Sequence, residues 1–128
     1  MPETKLLAII EMGGYPDFTS VYQAKGFQVE KSYSMRKAQA WLKKNQPALV
    51  VAEFHFDPDL RDRMSNLESL MASLQRYAPS AKVLVFIERE HRPRLQKMEA
   101  RYPVFAALDY PIDPEQLGRV LEAASVTR

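Results

Sequence analysis

Five short apolar runs alternate with helix-like segments along the chain, and this alternation restricts the fold more than any other feature. The runs are Lys5–Met12, Phe27–Tyr33, Ala48–Phe54, Lys82–Ile87 and Val104–Leu108. Between them lie patterns with apolar residues at helical spacing. Asp17 is placed to cap a short helix carrying Phe18, Val21 and Tyr22, closed by Gly26. Ser34 opens a second helix with Met35, Ala38, Trp41 and Leu42 inward, stopping before Pro47. Ser65 and Glu68 form a capping box ahead of Leu67, Leu70, Met71 and Leu74. A weaker helix spans Pro93–Arg101, with Leu95 and Met98 as its large apolar residues. Asp113 and Pro114 then start a last helix carrying Leu117, Val120, Leu121 and Ala124.

The resulting order, βαβαβαβαβα, favours a parallel sheet covered by helices on both faces, because right-handed crossovers must pack back onto it. Ala48–Phe54 and Lys82–Ile87 are apolar on both faces, as central parallel strands require. Phe27–Tyr33 alternates, with Phe27, Val29 and Tyr33 on one side and Lys31 as the exception, so it reads as an edge. The expected fold is therefore a three-layer αβα sandwich with strand order 2-1-3-4-5, in one domain spanning residues 1–128. In that order the ligand crevice opens at the carboxyl ends of strands one and three. Glu11 and Glu53 stand at those two ends, and Gly13-Gly14 supplies a turn after the first.

Bulk chemistry narrows the function classes. The chain has no cysteine, which excludes disulfides, thiolate catalysis and Cys-based zinc sites. Its 18 basic and 16 acidic residues give a net charge of +2, no footprint for nucleic acid or an anionic membrane. The start has no basic segment ahead of its apolar run, and no apolar stretch approaches the ~20 residues of a membrane span. The expectation is a cytoplasmic protein that binds neither nucleic acid nor membrane. His55 and His91 have no paired-ligand spacing, and the glycine pair matches no phosphate-loop pattern, so no FMN or nucleotide motif is present. No nucleophile has a paired base, which argues against an enzyme.

At several separated places the chain resembles the receiver domain of bacterial response regulators, a flavodoxin-like (CheY-like) fold. "KLLAIIEM" is similar to the first receiver strand, and "SYSMRKAQAWLKKNQPALVVAE" to the second helix and the strand leading to a phosphorylated aspartate. "AKVLVFIE" resembles the fourth strand, and "ALDYPIDPEQLGRVLEAA" the closing segment. The resemblance implies five functional positions. The Mg²⁺-holding acidic pair falls on Ile10 and Glu11, the phosphoacceptor on Glu53, the switch hydroxyl on Ile87, and the phosphate-neutralising lysine on Tyr110.

Phosphotransfer needs an in-line carboxylate, a hard cation held by oxygens, and cationic stabilisation of the transferred oxygens. Ile10, Ile87 and Tyr110 supply none of these, and Glu53 is expected to push its carboxylate outward by one methylene. The resemblance thus implies a degenerate pseudo-receiver without phosphotransfer. Glu53 then stands as a fixed negative charge, as a weak Mg²⁺ ligand with Glu11 and His55, or as a solvated strand-end carboxylate. Interaction with a protein partner, or a homodimer, is expected through the helix 4–strand 5–helix 5 face, with Arg92, Arg94, Phe105 and Tyr110 as contacts. The alternative is a small-molecule or nucleotide sensor using the crevice at strands one and three.

Overall fold

The structure, a computed structural model, describes residues 4–54 and 67–126. Its strands are β1 (Thr4–Ile9), β2 (Phe27–Ser32), β3 (Leu49–Glu53), β4 (Lys82–Ile87) and β5 (Ala106–Asp109). The helices are α1 (Thr19–Ala24), α2 (Met35–Leu42), α3 (Leu67–Tyr77), α4 (Arg92–Glu99) and α5 (Pro114–Val126), with a 3₁₀ turn over Arg89–His91 before α4. All strand pairs are parallel, and the order is β2-β1-β3-β4-β5, as the apolar patterning requires.

Strand periodicity divides the core into two layers. Leu7, Ile9, Val50, Ala52, Val83, Val85 and Ile87 point toward α2, α3 and α4. Leu6, Ala8, Leu49, Val51, Leu84, Phe86 and Leu108 point toward α1 and α5. Successive side chains of a strand alternate between faces, so β3 and β4 must be apolar at nearly every position. At the edge, β2 leaves Gln28 exposed and keeps Phe27 buried. Lys31, the exception in its alternation, places its ammonium 2.8 Å from Asp17. Its aliphatic stem can thus occupy the apolar side of the strand while the charge stays at the surface. Trp41 is half-buried at the margin of the α2–α3–α4 layer, with the Lys5 ammonium 6.0 Å from its ring centroid.

Several boundaries differ from the sequence pattern for local reasons. β1 ends at Ile9 rather than Met12, because only the Ile10 amide still bonds a neighbouring strand, at Ser32. The cap of α1 is Phe18, not Asp17, whose carboxylate instead accepts from the Thr19 amide and hydroxyl. Ser34 does cap α2, accepting from the Lys37 amide at 3.1 Å, and Asp113 accepts from the Glu115 amide at 3.0 Å. β5 starts two residues later than expected, at Ala106. Of the expected capping box on α3, Ser65 lies outside the described residues.

Phe86 is fully buried on β4, with edge-to-face contacts to Tyr15 and Phe18. Truncating it leaves a cavity between the sheet and the α1 side, so Phe86→Ala is expected to cost about 3–5 kcal/mol of stability. Ser34→Ala removes one cap bond and is expected to cost ~1 kcal/mol. Urea unfolding followed by circular dichroism measures both.

Candidate functional site

β1 and β3 pair over Leu6, Leu7 and Ala8 only, whereas β3 stays paired to β4 as far as Glu53 and Phe86. The two strands on either side of the topological reversal therefore part at their carboxyl ends, where such sheets form their crevice. Glu53 has the same parity as Leu49 and Val51, so its side chain enters the α1–α5 layer. It is completely buried.

The carboxylate turns inward beneath the β1–α1 loop. Its Oε1 accepts from the amides of Met12 (3.0 Å) and Gly13 (3.3 Å). Its Oε2 accepts from the Glu11 amide (3.2 Å) and the Tyr15 hydroxyl (2.6 Å). Three consecutive amides and a phenol thus converge on one anion, an arrangement of the backbone-nest type. Gly13 and Gly14 take positive φ, +70° and +82°, a conformation that turns the loop over the carboxylate and that other residues rarely adopt. Neither the outward projection nor the solvated strand end expected of Glu53 is found. The loop amides leave the β1 ladder and need acceptors, and Glu53 is the acceptor within reach.

Tyr15 joins this cluster to the rest of the layer. Its ring stacks on Tyr110 at 6.0 Å and on Phe18 at 6.1 Å, and meets Phe86 edge-on at 5.2 Å. Burial, followed by the hydrogen bond to Glu53, raises the Tyr15 phenol above its ordinary value. Burial and then the negative charge of Glu53 raise Tyr110 as well. Tyr15 was not among the residues that sequence reasoning singled out. It sits in a loop without periodicity, and its spacing to Glu53, 38 residues, carries no motif.

The other candidate residues are placed as follows. Glu11 meets Glu53 through its backbone amide. Ile87 is buried on the opposite face of the sheet, in the layer of α2, α3 and α4. Tyr110 stacks on the ring of Tyr15, whose hydroxyl donates to Glu53. Arg92 is bound within the fold: its Nε lies 2.5 Å from Asp109 and its Nη2 3.1 Å from the Ala107 carbonyl, clamping α4 to β5. Arg94 is exposed on α4, and Phe105 is half-buried with the Lys82 ammonium 5.6 Å from its ring. His55 lies outside the described residues.

A hard divalent cation requires six or more oxygen ligands. Among the described residues no group of three or more histidines or carboxylates could hold one. The Glu53 oxygens are also ringed by N–H and O–H donors, whose positive ends repel a cation. The donors described around Glu53 thus match its own negative charge.

No protein-family model matches the chain, and no curated protein does. Solved structures do match. The signal receiver domain of an HD domain-containing protein from Pseudomonas fluorescens has a TM-score of 0.76 at 15% identity, covering 98% of this chain and 96% of that one. A CheY-like receiver domain protein from Methanospirillum hungatei has a TM-score of 0.73 at 13% identity, covering 99% and 100%. A response regulator from Burkholderia pseudomallei, described with a phosphorylated aspartic acid and a calcium ion, has a TM-score of 0.64 at 19% identity, covering 96% and 69%. At these identities the likeness is one of fold, and the chain has the CheY-like flavodoxin fold. Among the described residues no helix is long and apolar enough to cross a membrane.

Removing the Glu53 carboxylate orphans its donors. Glu53→Ala is expected to lose at least ~3 kcal/mol, since each buried polar group left unsatisfied costs about 1–3 kcal/mol. Acetate or formate should refill the nest and raise the melting temperature of Glu53→Ala in a concentration-dependent way, with no such rise for the wild type. A thermal-shift titration reads both.

The raised Tyr15 phenol also fixes a pH dependence. A folded-state pKa above the unfolded value of ~10 means the native state holds its proton longer. That contribution is complete below pH ~10 and is lost as pH rises toward the folded-state pKa. Wild-type stability should therefore fall more steeply above pH ~10 than that of Tyr15→Phe, measured by urea unfolding at stepped pH.

Proposed function

We propose that this chain is a receiver-like regulatory module, one domain over residues 1–128, that accepts no phosphoryl group and acts by binding a protein partner. One observation carries the reading: the carboxylate at the acceptor position is buried and already engaged by three loop amides and the Tyr15 hydroxyl. A nucleophilic oxygen must be open to an incoming phosphoryl group in line, and a cation must screen the charge of that group. Both Glu53 oxygens point into donors instead, and Tyr110 stands where the resemblance places the neutralising lysine. The same arrangement gives Glu53 a positive role. It is a permanent anion that holds the β1–α1 loop in a single conformation.

Partner binding is assigned to the surface of α4, β5 and α5, either with a different protein or with a second copy. Within it Arg94 and Phe105 are the contact candidates, whereas Arg92 serves the α4–β5 clamp. Tyr110 links that surface to Glu53 through the Tyr15 ring. A cytoplasmic setting and the lack of catalysis go with this reading.

The alternative, a small-molecule or nucleotide sensor, was expected at the crevice of strands one and three; the cavity that would serve it, about 200 Å³, lies instead mainly beside β1 and β2. Tyr15, Phe18, Tyr22 and Tyr33 line it together with the Asp17–Lys31 pair. It is smaller than the ~300–1,000 Å³ usual for ligand pockets, so it ranks second.

Incubation with Mg²⁺ and a small acyl-phosphate donor, followed by intact-mass measurement, is expected to leave the mass unchanged. A stable increment of one phosphoryl group on Glu53 would overturn the reading. Affinity capture from lysate, then titration with the purified partner, should show Arg94→Glu and Phe105→Ala each weakening binding by about tenfold or more. Undiminished binding by both variants moves the interface elsewhere.

A further inference from the structure

The opposite helical layer carries a feature that the Glu53 cluster does not explain. A trough of about 410 Å³ runs between α2 and α3. Arg36, Ala40 and Lys43 form one wall and Ala72, Ser73 and Arg76 the other. Among the described residues no carboxylate lines it, and the segment Met35–Lys44 contains no acid at all. Several cations elsewhere are paired within the fold, Lys25 with Glu122, Lys31 with Asp17, Arg92 with Asp109, and Arg101 with Glu68. Among the described residues Arg36, Lys43 and Arg76 have no ion pair.

Helix electrostatics account for two of the three. Lys43 and Arg76 sit at the carboxyl ends of α2 and α3, where a cation complements the helix dipole. Arg36 stands in the first turn of α2, where the dipole disfavours a cation and that turn holds no acid to offset it. A locally unfavourable charge aimed at the same trough as two others indicates a ligand of opposite sign.

The spacing defines that ligand. Positions 36, 40 and 43 share one face of α2, and the outer two lie about 10.5 Å apart along the axis. The cations are therefore strung along a trough and do not converge on a point, which suits a row of carboxylates more than a single small anion. Between them Ala40 and Ala72 are exposed and small, so a third helix can approach closely. An acidic helix with carboxylates at i, i+3 or i+4, and i+7 matches the spacing of the cations. Nucleic acid fits less well. A trough this short meets few phosphates, and the Tyr77 ring beside it is covered by Arg76, whose guanidinium lies 5.4 Å from the ring centroid.

We propose that the α2–α3 trough is a second docking site, which receives an acidic amphipathic helix of a protein partner. It is independent of whether Glu53 accepts a phosphoryl group, and it lies on a surface other than α4–β5–α5.

The test is fluorescence anisotropy with a labelled synthetic helix bearing glutamates at i, i+4 and i+7 around an alanine-rich stripe. The comparators are a scrambled peptide of identical composition, a single-stranded oligonucleotide and inorganic polyphosphate. The helical-register peptide is expected to bind at least about tenfold more tightly than the scrambled one, with affinity falling as salt rises. Arg36→Glu and Arg76→Glu should each weaken it by about tenfold or more, while Lys37→Glu, on another face of α2, and Lys44→Glu, in the turn after it, should change it less than about twofold. All four positions are exposed, and circular dichroism checks that the variants fold. The proposal is overturned if the scrambled peptide binds equally well, if the oligonucleotide or polyphosphate binds more tightly, if nothing binds, or if Arg36→Glu and Arg76→Glu leave affinity unchanged.

Discussion

The capture of three backbone amides by the Glu53 carboxylate is the contact on which the functional end of this molecule depends. β1 and β3 lie side by side in the sheet but lose their pairing before their carboxyl ends. The loop that follows β1 then presents N–H groups to the gap with no strand to receive them. An unsatisfied buried amide is costly, so something negative must occupy the gap. Here the anion is part of β3. Being covalently attached, it is present at high effective concentration and does not exchange.

From that contact order spreads outward through aromatic rings. The Tyr15 hydroxyl is tied to Glu53, and its ring stacks on Tyr110 and against Phe86. The β1–α1 loop is thereby packed against the end of β5, where Arg92 and Asp109 clamp α4 in turn. In a protein with an exchangeable anion at this position, the loop and the β5 end would respond to its arrival. Here the anion at this position is the side chain of Glu53 itself.

Charge is segregated in ways that the net value of +2 conceals. The ion pairs among the described residues each join an exposed group to a partly buried one and contribute little to stability individually. Their interest lies in where they are absent. Among the described residues the cations of the α2–α3 trough have no ion pair, and one of them sits at the helix end where a cation is least favoured. Overall composition, which argues against nucleic acid, has no bearing on such a local field.

The layered fold was legible because periodicity is a local property. Two-residue alternation assigned Leu49 and Val51 to one face and Val50 and Ala52 to the other, and the doubly apolar β3 and β4 had to be central. Glu53 shares the parity of Leu49 and Val51, yet the reading of a strand-end acid put its carboxylate outward or in solvent, where it is not found. The ends of β1 and β5 were less legible, since strand ends are set by which neighbour remains in hydrogen-bonding reach. What Glu53 does there was decided only by tertiary structure. Its donors lie 38 to 42 residues away in a loop with no periodic pattern, and they are mostly backbone groups that every residue possesses. Sequence by itself thus determined the layers and the strand order, because side-chain pattern encodes which face is buried. The partnership of carboxylate, amides and phenol came from the three-dimensional convergence of groups that have no signature along the chain.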